Sequence, residues 1–587
     1  MHNSGVLPLL GHVSAAVADA IARTRPEMKG ADPVVRRSTR ADFQSNAAPA
    51  LAKRSGIPPT EVAAGLVEAL RSDGDLLNSV ELSGQGFLNI TVPDPLVWGQ
   101  VAARLTDDRL GVAAASEGAR TVVDYSGPNI AKEMHVGHLR TTIIGDSLAR
   151  VLEFLGAEVI RQNHLGDWGT QFGMLIQYLD EHRDIPWRHD DLTDDTASVS
   201  ALDRLYRAAR TAFDADSDFA DRSRARVVAL QSGDPTTLAR WSEIVAESEK
   251  SFGDIYSRLG VLLTTEDYVG ESFYNPVLAD TVTELVDRGI AVPSDGALVV
   301  FSEEVTGPDD KPVALMVRKR DGGFGYDTTD LATIKHRVDT LGADRLLYVT
   351  DARQALHFRL VFEVARRAGW LTDEVTVEHV AYGAVLGPDG RPFKTRAGAT
   401  VRLMDLLDEA TTTARSIVAE KNPDFDPAEL DQIAEQSGIG AVKYADLSTS
   451  RVKDYTFDLG RMLAFNGNTG VYLQYAHARI RSILRKTDAR MPTVDPAVSL
   501  APAERALALE LDAYADTLAD VASTLEPHRL CGYLYDLARD FTTFYDECPV
   551  LTATDPVREN RVALCRLTAR TLEHGLGLLG IAAPQRM

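Results

Sequence analysis

Cysteine is scarce in this chain of 587 residues. Only Cys531, Cys548 and Cys565 occur, all late and with no C-x-x-C pair. That excludes a disulfide framework or a zinc ribbon as the organising device. It fits reduced thiols packed as small apolar side chains in a cytoplasmic protein. Long hydrophobic runs are also missing. Nothing approaches the roughly 18 apolar residues that a membrane span needs. The opening MHNSGVLPLLGH has no cationic start followed by a long apolar segment, so export is not expected. Positive charge is in deficit: 62 Lys and Arg face 85 Asp and Glu, a net of −23. This argues against a protein that coats DNA, while leaving room for a local basic groove. There is no internal repeat and no low-complexity segment.

What is present is ordinary globular material. Hydrophobic residues make up 44% and charged residues 25%, which excludes global disorder. At roughly 150 residues per domain, the length suggests about four domains or fewer large ones. Residues 1–110 read as a small mixed α+β domain. SAAVADAIA and TEVAAGLVEALRS are helical, and VELSGQGFLNITV alternates like a strand around a glycine bend. From about 120 the pattern becomes strand, helix, strand: TVVDYS, then a helix from near Gly137 to Gly156, then EVIRQNHLG. Such a βαβ unit implies a parallel sheet, with ligands beyond the carboxyl ends of its strands. Residues 181–275 are polar, acidic and helical, starting at DDLTDDTASVS, and read as an insertion with a solvated face. Sheet segments are expected to resume at ALVVF, GFGYDTTD, DRLLYVTD and EHVAYGAVLG. From about 455 onward the chain reads as all-helical.

The stretch DYSGPNIAKEMHVGHLRTTIIGD carries the most chemistry. It places His135 and His138 at the mouth of a helix, with Gly137 between them. A helix N-terminus presents unpaired N–H groups and partial positive charge, which attract phosphate. Two imidazoles there can donate to a polyphosphate as charge builds on it. A glycine allows a close approach to a flat base or a ribose.

In wider context, P-N-x-A-K-x-x-H-x-G-H-L-R followed by LGDWGTQFG resembles the class I arginyl-tRNA synthetases. The resemblance continues through GYDTTDLA, YVTDARQALHF, GRPFKTRAGATVRL and GNTGVYLQYAHARI to the terminal QRM. With NAAPALAK and GQGFLN near the start, it covers essentially the whole chain. It implies a Rossmann-like catalytic domain over 111–455 with its helical insertion. The domains expected to flank it are a tRNA-corner-binding domain over 1–110 and a helical anticodon-binding bundle over 456–587. The implied reaction joins arginine to tRNA(Arg) through arginyl-adenylate, with ATP as substrate, Mg²⁺ as its companion and a monomeric protein.

The resemblance also assigns roles. His135, Gly137 and His138 would grip ATP. The family's second signature, K-M-S-K-S, is absent as such, and the corresponding loop carries Lys394 and Arg396. Lys132 would compensate for the missing lysine. Asp124, Asn129, Tyr326, Asp330 and Gln354 match arginine-contacting positions, with Asp124 standing where relatives often carry Glu. The chemistry suits them: a guanidinium offers five donors in a plane, and a carboxylate meets two of them in parallel. Lysine cannot make that forked contact. Tyr326 and Asp330 share a face if a helix begins there. His164 and Asp167 either touch substrate or shape their turn, and His357 and His379 are expected to be structural. No His, Asp or Glu spacing calls for a dedicated metal cage.

For tRNA, Tyr472 and Tyr475 are candidates for stacking on loop bases, set against packing inside the bundle. His477 and Arg479 are candidates for phosphate. Met587 lies where relatives meet the anticodon. Two competing readings are a synthetase for another amino acid and a catalytically silent tRNA-binding paralogue.

Overall fold

The structure is a computed structural model that describes residues 5–71, 77–188, 201–307, 311–391, 393, 401–487 and 490–587. Its contacts divide into two compact units. One comprises Ser116–Leu463 with Leu579–Ile581; the other comprises Met1–Ala115, Ala464–Leu578 and Ala582–Met587.

The first unit is built on five strands: β1 (Arg120–Asp124), β2 (Glu158–Leu165), β3 (Tyr268–Gly270), β4 (Arg345–Tyr348) and β5 (Thr376–His379). They run in the order β5-β4-β1-β2-β3, every pair parallel. The central strands are apolar on both faces, as a covered parallel sheet requires: Val122, Val123, Leu346 and Leu347 are all buried. Helix α1 (Val136–Phe154) crosses from β1 to β2 and buries Leu139, Ile143, Leu148, Val151 and Leu152. The chain then turns at Gly156, whose φ of +98° suits glycine. The βαβ unit expected from sequence is therefore present. The register aligns Asp124 with Tyr348 on one side and Gln162 on the other. These residues mark the carboxyl edge beyond which a ligand is expected.

Further helices of this unit are α2 (Pro235–Leu259), α3 (Tyr326–Asp339), α4 (Ala355–Arg367) and α5 (Pro427–Leu447), of which α2 and α3 reach that edge through Tyr256 and Arg337. The insertion is helical as expected, through Ala201–Ala215, Ser217–Gln231 and α2, while its start DDLTDDTASVS lies outside the described residues. Its far end returns to the main sheet as β3.

One expected sheet segment belongs to a second sheet, and one is corrected. ALVVF lies in Ala297–Thr306, the middle strand of a separate antiparallel sheet with Val292–Ser294 and Pro312–Arg318. GFGYDTTD is not a strand, because α3 begins at Tyr326. Gly325 is extended, Asp327 sits in the first helical turn where its charge suits the dipole, and Thr328 Oγ1 donates to the Val317 carbonyl at 2.7 Å. Those local helix-start signals outweigh the aromatic run. EHVAYGAVLG divides between β5 and Val385–Leu386, which pairs with Tyr455–Thr456.

The second unit joins both ends of the chain. Its four-stranded antiparallel sheet orders Val35–Arg37, Phe43–Ser45, Phe87–Thr91 and Ser79–Ser83. The last two form a hairpin about Gly84 and Gly86, both at positive φ, which is the bend read from sequence. The helical part includes α6 (Gly470–Leu484), α7 (Pro502–Asp512), α8 (His528–Glu547) and α9 (Val557–Leu578). Buried polar contacts fuse the two parts. Trp98 Nε1 donates to the Val498 carbonyl at 2.8 Å, the Leu9 N–H donates to Asp512 at 2.7 Å, and Arg505 binds Asp42 and Asp94.

Candidate active site

The helix-mouth histidines form an interlocked cap. His135 is the N-cap of α1, and its Nδ1 accepts the Gly137 N–H at 3.0 Å. His138 Nδ1 accepts the His135 N–H at 3.1 Å. The rings lie 4.0 Å apart. Because both Nδ1 atoms accept, each neutral ring carries its proton on Nε2 and presents an Nε2–H donor. Burial, reinforced by the neighbouring His135, holds the His138 pKa down near 3. Burial and the Lys132 ammonium lower that of His135 as well. Gly137 has a reason beyond the one read from sequence: a Cβ there would lie 2.8 Å from His135 Cε1. The glycine makes room for the histidine that caps its own helix.

The preceding loop is held under strain. Ser126 and Ala131 are non-glycine residues at φ +76° and +61°. Each such residue costs on the order of 1–3 kcal/mol and persists only where its surroundings fix it. Here the N–H of Ser126 donates to Thr141 Oγ1 at 3.0 Å, and that of Ala131 to Ser248 Oγ at 3.0 Å. The Ser126 hydroxyl bonds Tyr256 at 2.6 Å, and Tyr256 accepts from Asn163 at 2.9 Å. Ser248 and Tyr256 belong to α2, so the insertion braces this loop. Asn129 is exposed on this loop beside Gly166, where a Cβ would lie 2.3 Å from the Asn129 amide oxygen. The Lys132 ammonium faces the Tyr206 ring at 5.4 Å.

Lys394 and Arg396 lie outside the described residues. The far root of their loop is described, and it reaches the signature segment. The Val136 N–H donates to Val401 at 3.0 Å, the Leu403 N–H donates to Met134 at 3.0 Å, and Arg402 pairs with Glu133 at 2.9 Å.

The acidic pocket is assembled from three elements. Asp124 ends β1 and is buried, with Oδ2 already accepting from Arg337 at 2.7 Å. Arg337 is fully buried, also donates to Gln162 at 2.6 Å, and lies 4.9 Å over the Tyr348 ring. Burial opposes its charge, but Asp124 holds its pKa above the ordinary value. Part of the capacity assigned to Asp124 is thus used by the protein's own arginine. Tyr326 and Asp330 do begin one helix, α3, one turn apart. Gln354 is exposed at the start of α4.

Sequence reasoning missed Glu271. Burial, then the charges of Asp330 and Asp167, push its carboxyl up to about 7. It is one acid among many in an unremarked stretch, and only the fold brings it toward Asp330. Asp167 builds the turn that carries it: its oxygens accept from the Ser272 N–H at 2.8 Å and the Ser272 hydroxyl at 2.5 Å. Of the two roles left open for Asp167, shaping its turn is therefore the one with contacts behind it. His164 stacks on Tyr274 at 6.0 Å. His379 bonds Thr350 at 2.9 Å, a structural contact. Among the described residues no group of three or more His, Cys, Asp or Glu is arranged to hold a metal ion.

Comparison with known proteins supplies what the geometry leaves open. The family described as tRNA synthetases class I (R), catalytic domain, matches residues 100–459. The arginyl tRNA synthetase N terminal domain matches 11–92, and the DALR anticodon binding domain matches 473–587. The chain belongs to the arginyl-tRNA synthetase family. It is 68% identical to the arginine–tRNA ligase of Frankia casuarinae, covering 99% of both chains. It is 53% identical to that of Streptomyces coelicolor over 100% of each. The arginyl-tRNA synthetase structure from Plasmodium falciparum superposes with a TM-score of 0.82 at 28% identity, covering 99% of this chain and 100% of that one.

The DALR region shows where this synthetase chain places its aromatic candidates. Tyr472 is half-buried, packed 5.7 Å from Tyr535. Tyr475 is 41% exposed and touches Phe465 edge-on at 5.9 Å. Arg479 lies 4.0 Å over the ring of Tyr545, itself exposed on α8 and overlooked in the sequence. His477 is corrected: it is fully buried, its Nδ1–H donating to the Pro584 carbonyl at 3.0 Å. The tail to Met587 is tied along α6, where Gln474 donates to Ala582 and Arg485 to Gln585.

Proposed function

We infer that the chain is an arginine–tRNA ligase. The observation that carries this reading is the pair of Nε2–H donors on the signature helix, beyond the same sheet edge as a cluster of carboxylates. ATP lies with its phosphates toward the N-terminus of α1. Arginine seats its guanidinium against Asp330, Glu271 and Tyr326, with Asn129, Gln354 and the free oxygen of Asp124 serving its backbone groups. One carboxylate oxygen of arginine attacks the α-phosphorus, the bond to the bridging oxygen breaks, and pyrophosphate leaves. His135 and His138 donate to the oxygens that gain charge in that step, while Lys132, Lys394 and Arg396 receive the pyrophosphate. No covalent nucleophile from the protein is needed; alignment and charge stabilisation suffice. A hydroxyl of the terminal tRNA adenosine then attacks the arginyl carbonyl, and AMP leaves. Magnesium enters with ATP as the counter-ion of its phosphates.

The functional division remains 1–110 for the tRNA corner, 111–455 for catalysis and 456–587 for the anticodon, with Tyr475, Tyr545, Tyr472 and Met587 on the anticodon side. The protein acts as a cytoplasmic monomer. Three buried cysteines outside any disulfide support the compartment, and no helix of the described residues is long and apolar enough to cross a membrane. The silent-paralogue reading finds no support among relatives that carry the ligase name over their full length. Charging of total tRNA with each amino acid in turn, with ATP and magnesium, tests the proposal. Arginine alone should be attached. Attachment of another amino acid would refute the pocket, and tRNA binding without any attachment would refute the activity.

A further inference from the structure

His357, read from sequence as structural, stands against the proposed guanidinium pocket. It lies on the first turn of α4 and reaches across to α3. Its Nε2 is 2.6 Å from Asp330 Oδ2, and its Nδ1 is 3.2 Å from Asp327 Oδ1. The two carboxylates sit one turn apart on α3, so a single imidazole spans both. The Tyr326 ring meets it edge-on at 5.2 Å. All three polar side chains are largely shielded, with 16–18% exposure.

We propose that His357 is a positioning and specificity-determining residue for arginine, holding the Asp330 carboxylate aimed at the guanidinium. The proposal rests on the reading of Asp330 as the guanidinium partner. Its argument is one of charge and lone pairs. A guanidinium carries only donors, so its partner must be an acceptor-only carboxylate. Asp330 has Asp327 one turn away and Glu271 beside it, and like charges so placed repel one another. With both nitrogens donating, the imidazolium of His357 offsets that repulsion and fixes the direction of the Asp330 carboxylate. Burial pulls its pKa down, but the bonds to Asp327 and Asp330 override burial and push it up to about 9. Two carboxylates and one imidazolium leave one net negative charge at this pair of helices, to which Glu271 adds its own when it ionises. Each carboxylate oxygen has two lone pairs, so Oδ2 can accept from His357 while both oxygens stay open to a forked ligand.

A residue that only ties α3 to α4 would affect folding and all substrates alike. Steady-state charging of tRNA separates the cases, using His357→Ala, His357→Gln and Asp330→Asn in the full-length protein. His357→Ala should raise the KM for arginine about tenfold to a hundredfold, the scale of a bond to a charged group. The KM for ATP should stay within about threefold. His357→Gln, which keeps a neutral donor near Asp330 and is the milder packing change, should fall between wild type and His357→Ala. Asp330→Asn should raise the arginine KM at least as much. An unchanged arginine KM in both His357 variants, with Asp330→Asn impaired, overturns the role of His357 and leaves the pocket standing. Equal rises in the arginine and ATP KM values also overturn it. If Asp330→Asn leaves the arginine KM unchanged, the pocket and the proposal fall together.

Discussion

At the scale of single residues, the site works through protonation states set by neighbours. His138 stays neutral because burial holds its pKa near 3, so it serves as a fixed donor and not as a proton carrier. Its bond should strengthen only as charge develops on phosphate. His138→Ala should therefore lower kcat about a hundredfold or more while changing the arginine KM little. Single-turnover adenylate formation with tRNA present measures this, and an unchanged rate would remove His138 from the role. Glu271 behaves in the opposite way. Its carboxyl is pushed up from 4.5 to about 7, so it ionises within the working range. Arginine is a cation throughout, and only the ionised carboxylate attracts it. Hence kcat/KM for arginine should climb from pH 6 to pH 8, and Glu271→Gln should flatten the climb. A pH profile of that variant matching wild type would exclude Glu271 from the pocket. Neither effect is visible in sequence, because both depend on burial.

At the scale of elements, α1 and the loop before it act as one piece. Its left-handed residues are pinned from α1 by Thr141 and from α2 by Ser248 and Tyr256. Its cap depends on the missing side chain of Gly137. Gly137→Ala would set a Cβ 2.8 Å from the ring of His135 and force that ring outward. Losing the cap costs about 1 kcal/mol. A displacement near 1 Å of the two Nε2–H groups costs about a hundredfold in rate. Thermal melting should show the small loss of stability, and single-turnover kinetics the large loss of rate. A variant with full rate would show that the cap does not aim the histidines. Fair notice of this element came from the sequence, since the strand, the turn, the H-x-G-H pattern and the closing Gly156 are local signals. It gave none of the brace, because Ser126 and Tyr256 are 130 residues apart.

At the scale of the whole molecule, a net charge of −23 makes nucleic-acid binding depend on chosen surfaces. On the proposed function, the exposed Tyr475 and the Arg479–Tyr545 stack in the second unit are such places. Stacking of a base on an aromatic ring is worth about 1–3 kcal/mol. Tyr545→Ala should therefore raise the KM for tRNA about tenfold and leave those for arginine and ATP in place. Charging kinetics at two salt concentrations would check it, with affinity falling as salt rises. A tRNA KM equal to wild type would return Tyr545 to a packing role.

Local pattern alone determined the class of this protein. A βαβ unit written within a few dozen consecutive residues placed the sheet, and the resemblance of several ordered motifs along the chain identified the family. The pocket was only half legible. Tyr326 and Asp330 share one helical turn and could be paired by spacing. Asp124 could be placed at a strand end, but not its engagement with Arg337, 213 positions away. Glu271 and Tyr545 carried no local mark, and His357 could be read only as structural. Only the tertiary structure brought α3, α4 and the turn at Ser272 together, and with them the burial and neighbouring charge that fix which groups are ionised. Helix and strand periods are properties of near neighbours; the electrostatics of a site belong to residues that meet only once the chain has folded.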